Sequence, residues 1–258
     1  MTQLLIKDIM SKPVTIAKSA PLTEALQKML RENIDPLISV HNDTVTGTVS
    51  RHSIADKLGS KRTSDIAPTT IHVANVVNDD FTIVYDDQEV DVLIALLQAG
   101  AKLAIVYDND SNLIGQVSYG DLLRHMRPSC TLLEAAEKPY LIDAGERVVH
   151  LRRMMLDGNV SHVVVMKNET PVGIVSETDV AVAMKKFRET VSEKHQDTQI
   201  RNLMVADIMT SPVITMELSS GVDAVIDVML EKKISGIPIL ESGKIVGLLT
   251  RKSAIMAL

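Results

Sequence analysis

The sequence predicts an α/β fold built from four copies of one small unit, each running roughly strand, helix, strand, strand, helix. Three observations support this prediction. A strand-to-helix corner of one pattern occurs four times, the first and last units open with nearly the same residues, and an amphipathic segment followed by two short apolar runs recurs in each unit. Self-similarity of this kind is the signature of a repeat protein, so the repeats decide the fold class.

The corner has a glycine, two intervening positions, a hydroxyl residue and, three places after the hydroxyl, a serine or an aspartate. This pattern indicates a strand that runs directly into a helix. The hydroxyls are Ser50, Ser118, Ser176 and Thr250, and the positions three places later hold Ser53, Asp121, Asp179 and Ser253.

The first unit opens with Asp8-Ile9-Met10 and the fourth with Asp207-Ile208-Met209, which stand 42 and 43 positions before the corner hydroxyl. The second unit opens on a divergent apolar run at residues 73–77. After each opening, apolar residues at helical spacing predict an amphipathic helix. In the first unit these residues follow Pro21, which a helix start tolerates, and they are Leu22, Ala25, Leu26, Met29 and Leu30.

Two short apolar runs joined by a polar turn follow each of these helices. In the third unit the runs are residues 162–166 and 172–175, and the turn is residues 167–170. Short apolar runs separated by Asn, Asp, Gly or Ser are typical of β-hairpins. A second helix then closes each unit.

One such unit is too small to bury its own apolar face, so we expect the units to pair. Repeats 1–60 and 70–127 would form one module over residues 1–127, and repeats 131–186 and 203–258 would form a second over residues 128–258. The break lies at Arg127-Pro128-Ser129-Cys130, where proline stops the preceding helix. The charged connection at residues 185–201 is interpreted as a solvated helix end followed by a linker.

Composition excludes several classes of function. Hydrophobic residues make up 45% of the 258 residues and aromatic residues only 2%, which predicts an aliphatic core. The net charge of −6 argues against a nucleic-acid partner, and no apolar run is long enough for a membrane span. The first residues lack a signal-peptide segment and the lone Cys130 cannot form an internal disulfide, so we expect a cytoplasmic protein. Scattered histidines, the absence of a phosphate-binding glycine loop and the absence of zinc-ligand spacing predict neither catalysis nor a metal site.

The openings, the run from Ile234 to Ile239 and the Gly-x-x-[Ser/Thr]-x-x-Asp corner together resemble the cystathionine β-synthase (CBS) domain. Four copies resemble a tandem of two CBS pairs, or Bateman modules, as in the γ subunit of AMP-activated protein kinase and its stand-alone archaeal relatives. The resemblance implies a disc-like assembly within one chain or, as a homodimer, between two. It also implies a non-catalytic regulator that binds adenosine-containing ligands of the AMP, ADP and ATP class to sense energy state or control a protein target.

The chemistry of the corner has two readings. A hydroxyl with an acidic residue three places later is a capping box, which needs no ligand. A carboxylate also accepts hydrogen bonds from both hydroxyls of a ribose, and the adjoining helix N-terminus attracts a phosphate. The resemblance implies the second reading at Asp121 and Asp179, whereas Ser53 and Ser253 predict empty or weak sites.

Carried over position by position, the resemblance implies two ligand sites. For the first site it implies Ser176, Asp179, Met209, Thr210, Pro212, Val213, Ser235, Gly236, Ile237 and Pro238. For the second site it implies Ser118, Asp121, Met10, Pro13, Ile34 and Pro36.

Residues near the corner hydroxyls are candidates for binding ligand phosphates at a shared centre. Arg51 and Arg251 are the leading candidates because the guanidinium fork matches a phosphate, and Lys102 and His162 are secondary candidates. In repeat one, Asp35 stands at the position that Lys102 and His162 hold in repeats two and three. A carboxylate there would repel a phosphate chain in the Asp121 site. Two alternatives stay open: a sensor of S-adenosylmethionine or methylthioadenosine, and a ligand-free scaffold subunit whose corners are only helix caps.

Overall fold

The computed structural model describes residues 4–60, 66–191, 195 and 199–258. Within these residues the chain forms four three-stranded sheets, and in each sheet the strands lie side by side in sequence order. The first two strands of every sheet are parallel, with a helix between them, and the second and third form an antiparallel hairpin. The α/β class and the strand-helix-strand-strand-helix order predicted from the sequence are therefore confirmed.

Repeats one and two occupy the first half of the chain, and a short helix precedes the first sheet. The elements are α1 (Ile6–Ile9), β1 (Thr15–Ala17), α2 (Leu22–Glu32), β2 (Leu37–His41), β3 (Thr44–Val49), α3 (Arg51–Leu58), β4 (Phe81–Tyr85), α4 (Val90–Gln98), β5 (Leu103–Tyr107), β6 (Leu113–Ser118) and α5 (Tyr119–His125).

Repeats three and four repeat this order, again after a short helix. The elements are α6 (Leu132–Ala135), β7 (Leu141–Asp143), α7 (Val148–Gly158), β8 (His162–Lys167), β9 (Thr170–Ser176), α8 (Glu177–Thr190), β10 (Met216–Glu217), α9 (Val222–Glu231), β11 (Gly236–Glu241), β12 (Lys244–Thr250) and α10 (Arg251–Met256).

The first long helix shows how the apolar spacing positions a site. Leu22, Leu26 and Met29 of α2 are buried, as their spacing predicts. Leu30, four positions after Leu26, was predicted to share this face, but its side chain is 44% exposed. It forms instead part of the wall of a cavity described below. Pro21 is the N-cap residue and directly precedes the helix.

The hairpin turns are tighter than the sequence suggested. The turn predicted over residues 167–170 contains only Asn168 and Glu169, whose φ angles of 50° and 62° lie in the left-handed region. Asn42 and Asp43 repeat this geometry in the first hairpin. Two-residue turns with positive φ match the twist of the flanking strands, so the strands extend to the turn itself.

The opening of each repeat packs against a neighbouring repeat. Ile6 of α1 donates its N–H to the carbonyl of Gln88 at 2.9 Å, and the Val73 N–H reaches back to the carbonyl of Ala20 at 2.9 Å. In the second half, the Val205 N–H donates to the carbonyl of Glu146 at 2.8 Å. These exchanges tie repeat one to repeat two and repeat three to repeat four.

Two aliphatic cores join repeat one to repeat three and repeat two to repeat four. One core combines buried side chains of repeats one and three, such as Leu26, Ile54 and Leu151. The other combines repeats two and four, for example Leu93 and Ile226. The sheets of repeats one and two also bury Ile38, Leu103 and Ile105 in a small third cluster. Each repeat thus contacts one neighbour through its opening and another through its helices.

The connection after repeat three is less exposed than predicted. Helix α8 continues to Thr190, and Arg188 near its end is only 7% exposed. Its guanidinium donates to the carbonyl of Leu58, near the end of repeat one, and to the carbonyl of Ile66, which lies between repeats one and two. The rest of the predicted linker, at residues 192–194 and 196–198, lies outside the described residues. Among the described helices, none combines the length and apolarity needed to cross a membrane.

Candidate functional site

The four corners all form capping boxes. In each corner the hydroxyl side chain accepts the N–H of the residue three places later, whose own side chain accepts the backbone N–H of the capping residue. In repeat four, for example, Ser253 Oγ accepts the Thr250 N–H at 3.0 Å, and in repeat three Asp179 Oδ2 accepts the Ser176 N–H at 2.7 Å. Serine and aspartate therefore perform the same capping role, and the carboxylate is not required for it.

Asp179 stands on the wall of a cavity of about 240 Å³, formed by repeats three and four with a contribution from repeat one. Its carboxylate is partly exposed and accepts three hydrogen bonds: from the Ser176 N–H, from Ser176 Oγ at 2.5 Å, and through Oδ1 from Thr210 Oγ1 at 3.0 Å. The predicted residues that line this cavity are Ser176, Asp179, Thr210, Pro212, Val213, Ser235 and Gly236, and the wall also includes Leu30, Asn33 and Ile174.

Three other residues predicted for this site lie behind the cavity wall. Met209 packs against Gly173, where an added Cβ would come within 2.6 Å of the methionine sulfur. Ile237 and Pro238 are buried in β11, and Ile237 belongs to the core of repeats two and four.

The Asp121 corner has the same backbone but a more enclosed carboxylate. Asp121 is 7% exposed, and its Oδ2 accepts hydrogen bonds from the Ser118 N–H at 2.9 Å, Ser118 Oγ at 2.6 Å and Ser11 Oγ at 3.3 Å. Its Oδ1 pairs with Arg124 Nη1 at 2.7 Å. The sequence interpretation missed Arg124, although its position three places after Asp121 on a helix was a usable signal.

The repeat-one segments predicted for the Asp121 site divide between two places. Met10 packs against Gly115, as Met209 does against Gly173, and Pro13 is partly buried in the same segment. Ile34 and Pro36 line a second cavity, whose lining includes neither Met10 nor Pro13.

This second cavity, of about 200 Å³, lies where all four repeats meet. The four residues proposed from the sequence as phosphate ligands all line it: Arg51, Arg251, Lys102 and His162. Repeats one and four contribute the arginines, repeat two the lysine and repeat three the histidine. The packing of the four repeats thus places these side chains around one cavity.

The two arginines also hold the structure together. Arg51 Nη1 donates to Thr178 Oγ1 at 3.0 Å, linking repeat one to repeat three, and its Nη2 donates to the Met29 carbonyl at 3.0 Å. Arg251 Nη2 donates to the Met229 carbonyl at 3.3 Å. The Nε atoms of both arginines are buried and have no acceptor among the described residues. Both guanidinium groups therefore retain donor capacity.

His162 does not carry a positive charge at neutral pH. Burial lowers its pKa from 6.5 to about 4, and the nearby Glu177 and Asp179 carboxylates offset only part of this effect. Its two ring nitrogens lie 2.8 Å from Ser161 Oγ and 2.9 Å from Ser235 Oγ. As a phosphate candidate it offers a hydrogen bond from a neutral ring.

Acidic side chains share the central cavity with the cations. Asp35, Glu137 and Glu177 line it beside the basic residues, and the sequence interpretation had identified only Asp35. Burial raises the pKa of Asp35 to about 6, although the Arg51 guanidinium and the Arg51 N–H at 3.0 Å both act to lower that pKa. Lys102 forms an ion pair of 3.1 Å with Asp80. The cavity thus contains charges of both signs.

No cluster of three or more His, Cys, Asp or Glu side chains suited to a metal ion occurs in the part of the chain that the structure describes. Cys130 is partly buried and packs against the core of repeats two and four.

Comparisons with known proteins place this geometry in a family. Protein MJ1404 of Methanocaldococcus jannaschii is 24% identical over 261 residues, covering 97% of this chain and 61% of the relative. Protein MK0525 of Methanopyrus kandleri is 29% identical over 104 residues, or 40% of this chain and 48% of the relative. The matched region therefore spans less than two thirds of the length of these two relatives.

Two solved structures share the whole fold. Protein MJ1225 of M. jannaschii, solved as a proposed archaeal homologue of g-AMPK, has a TM-score of 0.79 at 20% identity and covers 98% of this chain and 99% of its own. A conserved protein of Pyrococcus horikoshii has a TM-score of 0.63 at 20% identity, with 98% of each chain covered. The CBS domain family matches residues 6–60, 73–128, 131–186 and 205–258. These four matches confirm the resemblance seen in the sequence, and the chain belongs to the CBS domain family.

Proposed function

We propose that this chain is a non-catalytic regulatory protein that binds an adenosine-containing ligand in the cavity beside Asp179. Membership of the CBS domain family supports a regulatory, ligand-binding role. The observation that carries the proposal is the partly exposed Asp179 carboxylate on the wall of an open cavity, beside the N-terminus of helix α8. A carboxylate accepts both hydroxyls of a ribose, and a helix N-terminus attracts a phosphate.

Ligand phosphates would extend from this cavity toward the centre of the four repeats. The two cavities are adjacent, since Asn33, Arg51, His162 and Ser235 line both of them. Arg51, Arg251 and Lys102 would then supply cationic donors for AMP, ADP or ATP. S-adenosylmethionine or methylthioadenosine remains the alternative ligand, because the acidic Asp35 and Glu177 in the same space favour a cationic or uncharged substituent.

Regulation would follow from a difference in ligand affinity between two arrangements of the paired modules. The Arg51–Thr178 contact joins repeat one to the helix that carries Asp179, which makes this contact a route from the ligand to the module interface. We also predict from the sequence that the chain controls a protein target, can form a homodimer and lies in the cytoplasm.

One observation favours a second candidate, a scaffold subunit with no ligand. All four corners are complete capping boxes, so each corner residue already has a structural role. The two candidates differ in what Asp179→Ser does. Serine fills this position in repeats one and four and retains the cap, with Ser53 Oγ accepting the Ser50 N–H at 3.1 Å, but it cannot hold a diol as a carboxylate does.

The test is calorimetric titration of the purified chain with AMP, ADP, ATP, S-adenosylmethionine and methylthioadenosine. The proposal expects at least one compound to bind the wild type and the heat to disappear in Asp179→Ser, with the unliganded variant folded and its melting temperature lowered by only about 2–4 °C for the lost Thr210 hydrogen bond. If the chain is a scaffold subunit without a ligand, none of these compounds should give a heat of binding. Binding that survives Asp179→Ser would refute the proposed site.

A further inference from the structure

Repeats two and three contribute to a pair of clefts that share one pattern of backbone hydrogen bonds. The Ser11 N–H donates to the Gln116 carbonyl at 2.9 Å in the cleft of repeats one and two. The Thr210 N–H donates to the Ile174 carbonyl at 2.9 Å in the cleft of repeats three and four. Gln116 and Ile174 both follow the corner glycine and are counterparts, whereas the adjoining peptide bond is cis at Ser211–Pro212 and trans at Lys12–Pro13.

Those side chains fill one cleft and leave the other open. Gln116 is fully buried, with 0% of its surface exposed, and Asp121 is 7% exposed. Their counterparts Ile174 and Asp179 are partly exposed and line the cavity of about 240 Å³. The open cleft is therefore the one in which an external molecule reaches the carboxylate.

Gln116 supplies a hydrogen bond that the open cleft lacks. Its Oε1 accepts the Val14 N–H at 2.9 Å. Val213 stands at the position of Val14 in the second half and lines the Asp179 cavity. Its N–H has no acceptor among the described residues. A ring nitrogen of an adenine base in the open cleft would accept this N–H, as the Gln116 side chain accepts that of Val14.

Arg124 pairs with the Asp121 carboxylate and so also hinders a ligand from reaching it. Oδ1 of each carboxylate accepts one hydrogen bond, from the charged Arg124 Nη1 at 2.7 Å in Asp121 and from the neutral Thr210 Oγ1 at 3.0 Å in Asp179. The counterpart of Arg124 is Val182, which offers no donor and is 39% exposed. A ribose at Asp121 would therefore have to displace an ion pair, whereas at Asp179 it would displace a neutral hydroxyl.

We propose that Gln116 occupies the cleft of repeats one and two as an internal substitute for a ligand, while Arg124, whose side chain is 58% exposed, pairs with the Asp121 carboxylate, so that the chain binds one adenosine-containing molecule, at Asp179. The identity of the ligand rests on the proposed function, whereas the closure of the Asp121 cleft does not. Gln116 Nε2 is buried without an acceptor, which offers the contrary reading that a ligand meets it there. That reading requires a second binding site in the wild type.

The chain itself provides the substitutions that should open the cleft. Gln116→Ile and Arg124→Val give repeat two the residues of repeat three, and Asp179→Ser removes the existing site. In calorimetric titrations with AMP and methylthioadenosine, the wild type should bind with a stoichiometry of one. The triple variant should bind at the opened cleft, and adding Asp121→Ser should abolish that binding. A stoichiometry of two in the wild type, or no gain in a folded triple variant, overturns the proposal.

Amide hydrogen exchange of the unliganded wild type tests the closure of the Asp121 cleft independently of ligand binding. The Val14 amide should exchange at least about tenfold more slowly than the Val213 amide, because one of them is hydrogen-bonded by a buried side chain. Gln116→Ile should remove most of this difference. Equal exchange of the two amides in the wild type overturns the closure. Absence of binding by any adenosine compound would instead refute the proposed function, and the exchange result would still decide the closure.

Discussion

Replacing Asp35 by asparagine should stabilise the protein at neutral pH. Asp35 lies on the central cavity, and its Oδ1 accepts the Arg51 N–H at 3.0 Å. Burial raises its pKa from the ordinary value of 3.8 to about 6 despite the adjoining guanidinium. Asparagine has nearly the same shape and keeps the acceptor for the Arg51 N–H, but it carries no charge to bury.

The sign and size of the effect follow from the pKa. Because the folded protein holds this proton more tightly than the unfolded chain, ionising Asp35 lowers the free energy of unfolding as the pH rises from about 4 to about 6. A change from 3.8 to about 6 corresponds to about 3 kcal/mol at most. Linkage predicts a gain for Asp35→Asn of about 1 kcal/mol at pH 4.5 and up to about 3 kcal/mol at pH 7.5.

Urea unfolding at these two pH values measures the gain directly. Asp43→Asn is the matched control, because Asp43 is exposed in a hairpin turn where asparagine tolerates the same positive φ, and it should change stability by less than about 0.5 kcal/mol. The reasoning is refuted if Asp35→Asn is no more stable than the wild type at pH 7.5, or if its gain is the same at both pH values.

Two further predictions concern the packing of the repeats. His52 Nδ1 lies 2.8 Å from Glu177 Oε1, and this hydrogen bond raises the pKa of the histidine. A double-mutant cycle with His52→Gln and Glu177→Gln should therefore give about 0.5–1 kcal/mol of coupling at pH 5.5. The coupling should decrease as the pH rises past the raised pKa. Equal coupling at pH 5.5 and pH 8 would contradict it. Leu93→Ala should lower the free energy of unfolding by about 2–5 kcal/mol, whereas Leu133→Ala, at a side chain 53% exposed, should cost less than about 1 kcal/mol. Chemical unfolding of both variants checks this, and similar losses would argue against the aliphatic core described above.

Much of the fold was predictable because its signals are local. The spacing of Leu22, Leu26 and Met29 indicates the buried face of a helix wherever that helix packs. The four-fold recurrence of the corner then extends one local interpretation to the whole chain. The convergence of Arg51 and Arg251 was also predictable, since equivalent positions in packed repeats point toward the same centre.

The properties that the sequence did not reveal depend on contacts between distant residues. The neutral state of His162 results from burial between repeats three and four, and the exposure of Leu30 results from a cavity shared by three repeats. Glu177 follows a corner serine as Arg51 does, but its place on the central cavity required the packing of repeat one against repeat three.

The two aspartate corners show the same limit most clearly. Asp121 and Asp179 have identical corner motifs, and from the sequence both were ligand candidates. Their difference comes from Gln116 and Arg124, which are plain in the sequence, but the structure is needed to show that these side chains reach the Val14 N–H and the Asp121 carboxylate.

The most direct test of the central claim is one pair of calorimetric titrations, of the wild type and of Asp179→Ser, with the adenosine compound that gives the largest heat. The wild type should bind saturably with a stoichiometry of one and the variant should not bind, while the unliganded variant stays folded and melts only about 2–4 °C below the wild type. Equal binding by both proteins would contradict the account.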